Sequence, residues 1–352
     1  MFENKSIIIG VSGGIAAYKT AYLVSALSKT EADVNVIMTE NACEFISPLV
    51  FETLTGNKCY VDTFDRNFKF DVEHISLAKK ADIFMIAPAT ANVIAKIANG
   101  IADDMLTTTF LASKCKKIVS PAMNTAMFEN QITQDNIAKL KKYGIGVVEP
   151  QDGLLACGDT GAGKMPEPDF LFDVIEREIA REKDMLGKKV LVTAGATMES
   201  LDPVRFLTNH SSGKMGFAIA KEAMLRGAEV TVVKANTTAE IPNFVKIVEV
   251  SSAKDMFDAV TALSDQQDII VKAAAVADYT PESYVDSKIK KKDGDLSIPL
   301  KRTMDILKYL GENKKEGQFL CGFSMETDNM LENSKAKLSK KNADMIVANN
   351  LR

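Results

Sequence analysis

KSIIIGVSGGIAAYKTAYLVSALS, residues 5–28, runs from an apolar strand pattern through a glycine pair into a helix pattern. Ser6–Val11 is a β-branched apolar run with no polar alternation, as a strand covered on both faces requires. Ile15–Ser28 carries helical periodicity. Between them, Ser12, Gly13 and Gly14 bring bare backbone N–H groups and a helix N-terminus to one point, the arrangement that receives a phosphate. A tight βα turn that needs glycine only for close approach is the plainer alternative, and the position after the first strand favours the phosphate. A second stretch, KKVLVTAGATMESLDPVRFLTNHSSGKMGFAIAKEAMLRG (188–227), repeats the plan with a different turn. Neither turn is G-x-G-x-x-G. The expectation is one chain with two different phosphate-bearing ligands and two chemistries.

Around the first stretch, strand patterns recur at Val34–Met38, Asp82–Ala87, Lys117–Pro121 and Ile145–Glu149. Helical stretches lie between them, including Ala91–Asn99 and Gln134–Tyr143, the latter stopped by Gly144. This alternation predicts a parallel sheet with helices on both faces. Residues 150–168 break the rhythm and read as a long structureless insertion, a lid over a site, with Cys157 inside it. Phe170–Glu182 is a closing helix, and the chain changes domain at Met185–Gly187.

The second half starts the rhythm again, with strands at Lys189–Thr193, Glu229–Val233, Lys246–Val250, Asp268–Lys272, Phe319–Phe323 and Asp344–Val347. Its helices are Gly216–Arg226, stopped by Gly227, then Ala253–Leu263 with Ser251 or Ser252 as cap, and Leu331–Lys340. Residues 280–296 read as a polar, lysine-rich flap. The predicted class is α/β: two doubly wound Rossmann-like domains, residues 1–186 and 187–352.

Composition narrows the function. The 352 residues carry 43 Lys and Arg against 47 Asp and Glu, a net charge of -4, which argues against nucleic acid as a bulk partner. No apolar run is long enough to span a membrane, and the amino terminus enters a strand directly, so neither a signal peptide nor a membrane location is expected. Five cysteines without a C-x-x-C pair read as reduced thiols of the cytoplasm. With only His74 and His210, a histidine-rich metal centre is excluded.

Several short motifs have chemical potential. PATAN (88–92) follows a strand and opens a helix, with Thr90 and Asn92 as donors beside the first turn. His74, in DVEHISLAKKAD, would alone read as a packed or surface histidine. In PAMNTAMF (121–128), Asn124 either caps a helix with Met127 in the core, or the pair faces a substrate carboxylate; spacing leaves both open. Cys157 in LLACGDTGAGKM (154–165) is either an inert buried thiol or a proton donor in a glycine-rich loop.

In the second half, Gly195 is separated from GKMG (213–216) by 17 residues that include Arg205, Asn209 and His210. A nicotinamide site would keep its glycines together and end its second strand in Asp or Glu; here that strand ends in Lys234, which suits a phosphate-rich ligand. KIKKK (288–292) places four lysines in five positions, either a solvated face or a grip on a triphosphate.

Together these motifs resemble the bifunctional phosphopantothenoylcysteine decarboxylase/phosphopantothenate–cysteine ligase family of coenzyme A biosynthesis. GVSGGIAAYK, His74, PAMNTAMF and ACGDTGAGKM resemble its flavin-dependent cysteine decarboxylase half; DPVRFLTNHSSGKMG, AAAVADY (273–279) and KIKK resemble its ligase half. The resemblance covers essentially the whole chain. It implies a flavodoxin-like decarboxylase domain binding FMN, with Ser12, Gly13, Gly14, Thr39, Thr90 and Asn92 as cofactor contacts. It makes His74 the base, Asn124 and Met127 the holders of the substrate carboxylate region, and Cys157 the proton donor. The chemistry it implies is oxidation of the thiol-bearing carbon to a thioaldehyde, loss of CO2 to a delocalised enethiolate, and return of the hydride.

For the second domain the resemblance implies CTP with Mg2+ (metal ligands unassigned), 4′-phosphopantothenate and cysteine. The carboxylate attacks the α-phosphate, and cysteine then displaces CMP. Lys288 falls on the functional lysine, and Asn209 and Arg205 on residues of acyl-cytidylate turnover and phosphopantothenate binding. Ala273, Ala274, Asp278, Met304, Asp305, Ile306, Leu307, Phe323, Lys337 and Lys341 fall on CTP contacts. A homo-oligomer of decarboxylase trimers and ligase dimers, up to a dodecamer, is also implied.

Two departures stand out. Phe128 replaces the family's usual tryptophan, and the chain stops at Arg352 where the family continues, so a shortened ligase domain is expected. The competing readings are a tandem Rossmann NAD(P)-dependent oxidoreductase, against which the split glycines and Lys234 argue, and a flavin-binding regulatory subunit, against which His74, Asn124 and Cys157 argue.

Overall fold

The computed structural model describes residues 2–64, 73–154, 160–290, 296–326 and 329–350. The chain divides into two compact units, Met1–Arg181 and Glu182–Arg352.

In the first unit, β1 (Ser6–Val11), β2 (Asp33–Met38), β3 (Cys59–Tyr60), β4 (Ile83–Ala89), β5 (Lys116–Pro121) and β6 (Gly146–Val147) form one sheet in the order β3-β2-β1-β4-β5-β6. Every pairing is parallel. All residues of β1 and β4 are buried, which is why their sequences are unbroken apolar runs. Alternation sends successive side chains to opposite faces. Ile8, Phe84 and Ile86 pack with Val93, Ile94, Leu106, Phe110, Ile137 and Leu140 from three helices, Ala91–Asn99, Met105–Ala112 and Gln131–Lys142. On β1, Ile7 and Ile9 point the other way and are fully buried. Each such side chain contributes on the order of 1.5–3 kcal/mol. Gly144 follows the helix it was expected to stop.

One expectation fails in form. Residues 150–168 are not structureless: β7 (Gln151–Leu154) and β8 (Thr160–Lys164) make an antiparallel hairpin. Hairpin pairing satisfies the backbone that a bare loop would leave to solvent. The closing helix is Pro168–Ile179.

The second unit repeats the sheet. β9 (Lys189–Ala194), β10 (Met198–Ser200), β11 (Phe206–Thr208), β12 (Glu229–Lys234), β13 (Lys246–Glu249), β14 (Ile269–Lys272), β15 (Tyr279–Pro281), β16 (Leu300–Arg302), β17 (Phe319–Glu326) and β18 (Met345–Asn350) follow in turn. Six of them form a parallel sheet in the order β13-β12-β9-β14-β17-β18. Counted from its own first strand this is again 3-2-1-4-5-6, the dinucleotide-binding order, whose crevice lies between strands 1 and 4. Val190 and Val192 pack against helix Lys214–Leu225, whereas Leu191 faces Met256 and Val260 of helix Ala253–Ser264. Ser252, with Asp255, closes that last helix in a capping box, which settles the choice between the two serines. The remaining strands make two antiparallel pairs, β10–β11 and β15–β16, that the strand patterns did not announce. Among the described residues no helix is long and apolar enough to cross a membrane.

Candidate functional site

In the first unit, four loops at the carboxyl edge of the sheet line a cleft of about 1190 Å³. Ser12, Gly13 and Gly14 after β1, Thr39 after β2, Thr90 and Asn92 after β4, and Asn124 and Met127 after β5 all line it. Six expected cofactor contacts and two expected substrate contacts therefore meet in one place. The cleft lies where the strand order reverses, between β1 and β4.

The turn is held by its own hydroxyls. Ser12 Oγ donates to the Pro88 carbonyl at 2.7 Å and accepts from the Thr90 amide at 3.0 Å. Thr90 in turn caps helix Ala91–Asn99 through the Val93 amide. Helix Ala17–Ser28 has no side-chain cap: its Ala17 and Lys19 amides donate to the Gly14 and Ala16 carbonyls at 3.0 Å, and the turn of residues 13–16 that leads into it lines the cleft.

The two glycines are glycine for different reasons. A Cβ on Gly13 would stand 2.6 Å from Asn41 Cβ and 2.8 Å from its backbone. A Cβ on Gly14 would meet only Thr90 Cγ2, at 3.8 Å, so that position is open toward the cleft.

Asn124 does cap the following helix, accepting from the Ala126 amide at 2.8 Å, and it also lines the cleft. Met127 is half exposed on the cleft wall, not in the core. The hairpin strand β8 docks beside them, the Met123 amide donating to the Gly163 carbonyl at 3.1 Å. Lys19, buried in helix Ala17–Ser28, donates to the Met165 carbonyl at 3.1 Å and to Glu167 Oε1 at 2.7 Å. The ammonium hydrogen bond holds the exposed Glu167 carboxyl below its usual range. His74 sits half-buried in helix Glu73–Lys80 and is not among the residues that line the cleft. Cys157 lies outside the described residues, as do Lys291 and Lys292.

In the second unit, the split glycines come back together. The 17-residue insert folds as the β10–β11 hairpin, and a Cβ on Gly213 would lie 3.4 Å from the Gly195 amide nitrogen. Both have positive φ, +85° for Gly195 and +79° for Gly213. Gly216, one turn into the helix, lets it approach β9: a Cβ there would meet Ala194 Cβ at 2.8 Å. The three glycines thus occupy the tight-turn, close-approach and helix-packing roles of a dinucleotide fingerprint.

Lysines gather at the carboxyl ends of β14 and β17. Lys337 Nζ donates to the Phe323 carbonyl at 2.8 Å, and Lys341 is hydrogen-bonded to Asp305. Lys272, the last residue of β14, feels both cations and the carboxylates Asp305 and Asp278. Burial first, and then Lys337, bring its ammonium down to about 8. Lys272 was missed by sequence reasoning, because a lone lysine ending an apolar run reads as a strand terminus. Expected contacts Ala273 and Asp278 both follow it in sequence, and the Ala274 amide donates to Thr193 Oγ1 at 3.0 Å. Met304 is exposed, Asp305 caps helix Ile306–Glu312, and the Ile306 and Leu307 side chains belong to the core, which leaves main-chain groups for a ligand. Lys234 is held by Glu249 at 2.9 Å.

Asn209 Nδ2 reaches the Val276 carbonyl at 3.4 Å, linking the hairpin to the segment after β14. Asp202 is buried and takes amide N–H groups from Val204, Arg205 and Ile289. The Ile289 amide above all keeps its carboxyl below the usual range. Among the described residues there is no group of three or more His, Cys, Asp or Glu placed to hold a metal ion.

A family model described as "Flavoprotein" matches residues 1–180, and one described as "DNA/pantothenate metabolism flavoprotein C-terminal domain" matches residues 185–352. The chain is similar to the coenzyme A biosynthesis bifunctional protein CoaBC of Bacillus subtilis (strain 168), 46% identical over 100% of this chain and 87% of the relative. Its counterpart in Borreliella burgdorferi is 42% identical over 100% of this chain and 90% of that protein. One similar solved structure is the C-terminal domain of a coenzyme A biosynthesis bifunctional protein CoaBC, 49% identical, with a TM-score of 0.42 over 47% of this chain and 78% of that chain.

Proposed function

This chain belongs to the CoaBC family of bifunctional coenzyme A biosynthesis proteins, and from that premise we propose how its two units divide the chemistry. It joins a flavoprotein phosphopantothenoylcysteine decarboxylase to a phosphopantothenate–cysteine ligase. The observation that carries the first assignment is the cleft of about 1190 Å³, where residues from separate motifs meet around an uncapped helix N-terminus.

The cofactor proposed for that cleft is FMN. The open position at Gly14 and the glycine turn leading into helix Ala17–Ser28 suit its phosphate, and Ser12, Gly13, Thr39, Thr90 and Asn92 complete the contacts. FMN, when bound, supplies the two-electron chemistry that first oxidises the thiol-bearing carbon and later returns the hydride. Asn124, its amide plane fixed by the cap to Ala126, orients the substrate carboxylate beside Met127. His74 is proposed as the base. Cys157, between the two hairpin strands in sequence, is proposed to protonate the enethiolate left after CO2 departs.

In the second unit, the carboxylate of 4′-phosphopantothenate attacks the α-phosphate of CTP. A carboxyl–phosphate bond forms, the bond to the β-phosphate breaks, and pyrophosphate leaves. The cysteine amine then attacks the acyl carbon and CMP departs. Lys288, Lys337 and Lys341, with Lys272 added here, offset the charge that builds on the phosphates. Asp278, Ala273, Ala274, Phe323 and residues 304–307 are proposed to line the nucleotide, and Asn209 and Arg205 to handle the acyl-cytidylate and phosphopantothenate. Mg2+ is proposed to enter on the nucleotide phosphates. A cytoplasmic homo-oligomer of decarboxylase trimers and ligase dimers completes the reading.

The test is mass spectrometry of the purified chain with CTP, cysteine and 4′-phosphopantothenate, with and without FMN. The ligation product, equal in mass to phosphopantothenate plus cysteine less one water, should accumulate without FMN and lose CO2 with it. No ligation product in either arm removes the ligase assignment, and FMN-indifferent decarboxylation removes the cofactor assignment.

A further inference from the structure

The lysine segment of the second unit is stitched to the hairpin turn that follows β10. The Val285 amide donates to the Leu201 carbonyl at 3.1 Å, and the Ile289 amide to Asp202 Oδ2 at 3.0 Å. Arg205 Nη1 donates to the Ile289 carbonyl at 3.1 Å and lies 3.4 Å from the same Asp202 oxygen. The other Asp202 oxygen, Oδ1, takes the Val204 and Arg205 amides, each at 2.8 Å. One buried carboxylate therefore does two separable jobs, one per oxygen. Lys288, next to Ile289, is exposed, and among the described residues its ammonium has neither a hydrogen-bond nor an ion-pair partner.

We propose that Asp202 is a positioning residue of the ligase: Oδ1 folds its own turn, and Oδ2 clamps the Ile289 main chain and so sets where Lys288 stands. A long lysine side chain on an untethered segment would lose its placement to rotamer and backbone freedom, and fixing the adjacent peptide removes most of that loss before the nucleotide arrives. Arg205 acts in the same clamp from the carbonyl side, so the segment that carries Lys288 is held at both its N–H and its C=O. This inference rests on the assignment of Lys288 to the nucleotide site.

The discriminating variant is Asp202→Asn. Its carboxamide oxygen can keep the Val204 and Arg205 amides, while its NH2 then faces the Ile289 N–H and breaks the clamp. In the full chain we expect kcat/KM for CTP-dependent pyrophosphate release to fall about 10- to 100-fold, decarboxylation of the ligation product to stay at the wild-type rate, and trypsin to cut after Lys288 and Lys290 several-fold faster. The double variant Asp202→Asn/Lys288→Gln should lose no more than Lys288→Gln alone, since an effect routed through Lys288 vanishes with it. Losses that multiply in the double variant, or unchanged cleavage after Lys288 and Lys290, overturn the clamp. Faster cleavage combined with wild-type activity of Lys288→Gln would instead leave the clamp standing and remove Lys288 from the nucleotide site.

Discussion

The two units share a strand order, and they place different things at its carboxyl edge. The first sets a cleft walled by glycine, hydroxyl and amide groups, in which Lys19, although buried, is turned to Glu167 and the Met165 carbonyl. The second sets lysines from distant segments, Lys272, Lys337 and Lys341, around two aspartates, and carries Lys288 on a clamped segment. The difference fits the charge each would handle. A single phosphate is met by backbone amides and a helix end, whereas a triphosphate losing pyrophosphate needs cations.

The sharpest way to break this comparison is Lys288→Gln. Pyrophosphate release should fall by about 10³-fold, while decarboxylation is untouched, because the two chemistries live in separate units. A wild-type rate would return the lysine segment to a solvated face. Next comes the glycine pair. Gly14→Asp should abolish the flavin absorbance of the purified protein with little change in melting temperature, since that position opens on the cleft. Gly13→Val should instead destabilise the unit by about 1–3 kcal/mol, measured by denaturant unfolding, because the new side chain meets the Asn41 backbone. If the two variants behave alike, the cleft is not where the flavin sits.

A third test uses pH. Lys272 is a cation below about 8 and neutral above it. In the free enzyme, kcat/KM for CTP should therefore fall roughly 10-fold as pH rises through 8, and Lys272→Met should be low and flat across that range. The stability effect has the opposite sign. The folded value lies below the ordinary 10.5, so the charge opposes folding at pH 7, and the penalty fades between about 8 and 10.5. Lys272→Met should thus gain on the order of 2 kcal/mol at pH 7 in thermal unfolding while losing nucleotide affinity. The smallest effect belongs to Lys234→Ala. Its partner Glu249 is largely exposed, so stability should move by less than about 1 kcal/mol and KM for CTP by less than about twofold. A large rise in KM would restore Lys234 to the phosphate role its sequence position suggested.

Much of the fold was legible because buried parallel strands advertise themselves as apolar runs, as Ser6–Val11 and Asp268–Lys272 did. What escaped was short or antiparallel. Cys59–Tyr60 has two residues and no pattern, and Met198–Ser200 and Phe206–Thr208 alternate over too few positions to register. The first site was readable because its residues sit in local turns directly after strands. Lys272 and Asp202 were not, since their roles depend on Lys337 and Ile289, distant in sequence and brought near only by folding. At Asn124 the cap does not compete with a place on the cleft, because the same amide lies at a helix end and on the cleft wall.

The reunion of Gly195 with Gly213 has a consequence for how such chains diversify. The six-stranded sheet requires only that the two glycines return to touching distance, so the 17 residues between them, with their β10–β11 hairpin, are a place where a substrate-handling module can be exchanged without disturbing a strand of that sheet. A phosphate turn can in this way acquire a new specificity by lengthening from within, and a contiguous pattern search across that point would pass over a fingerprint that is complete in space.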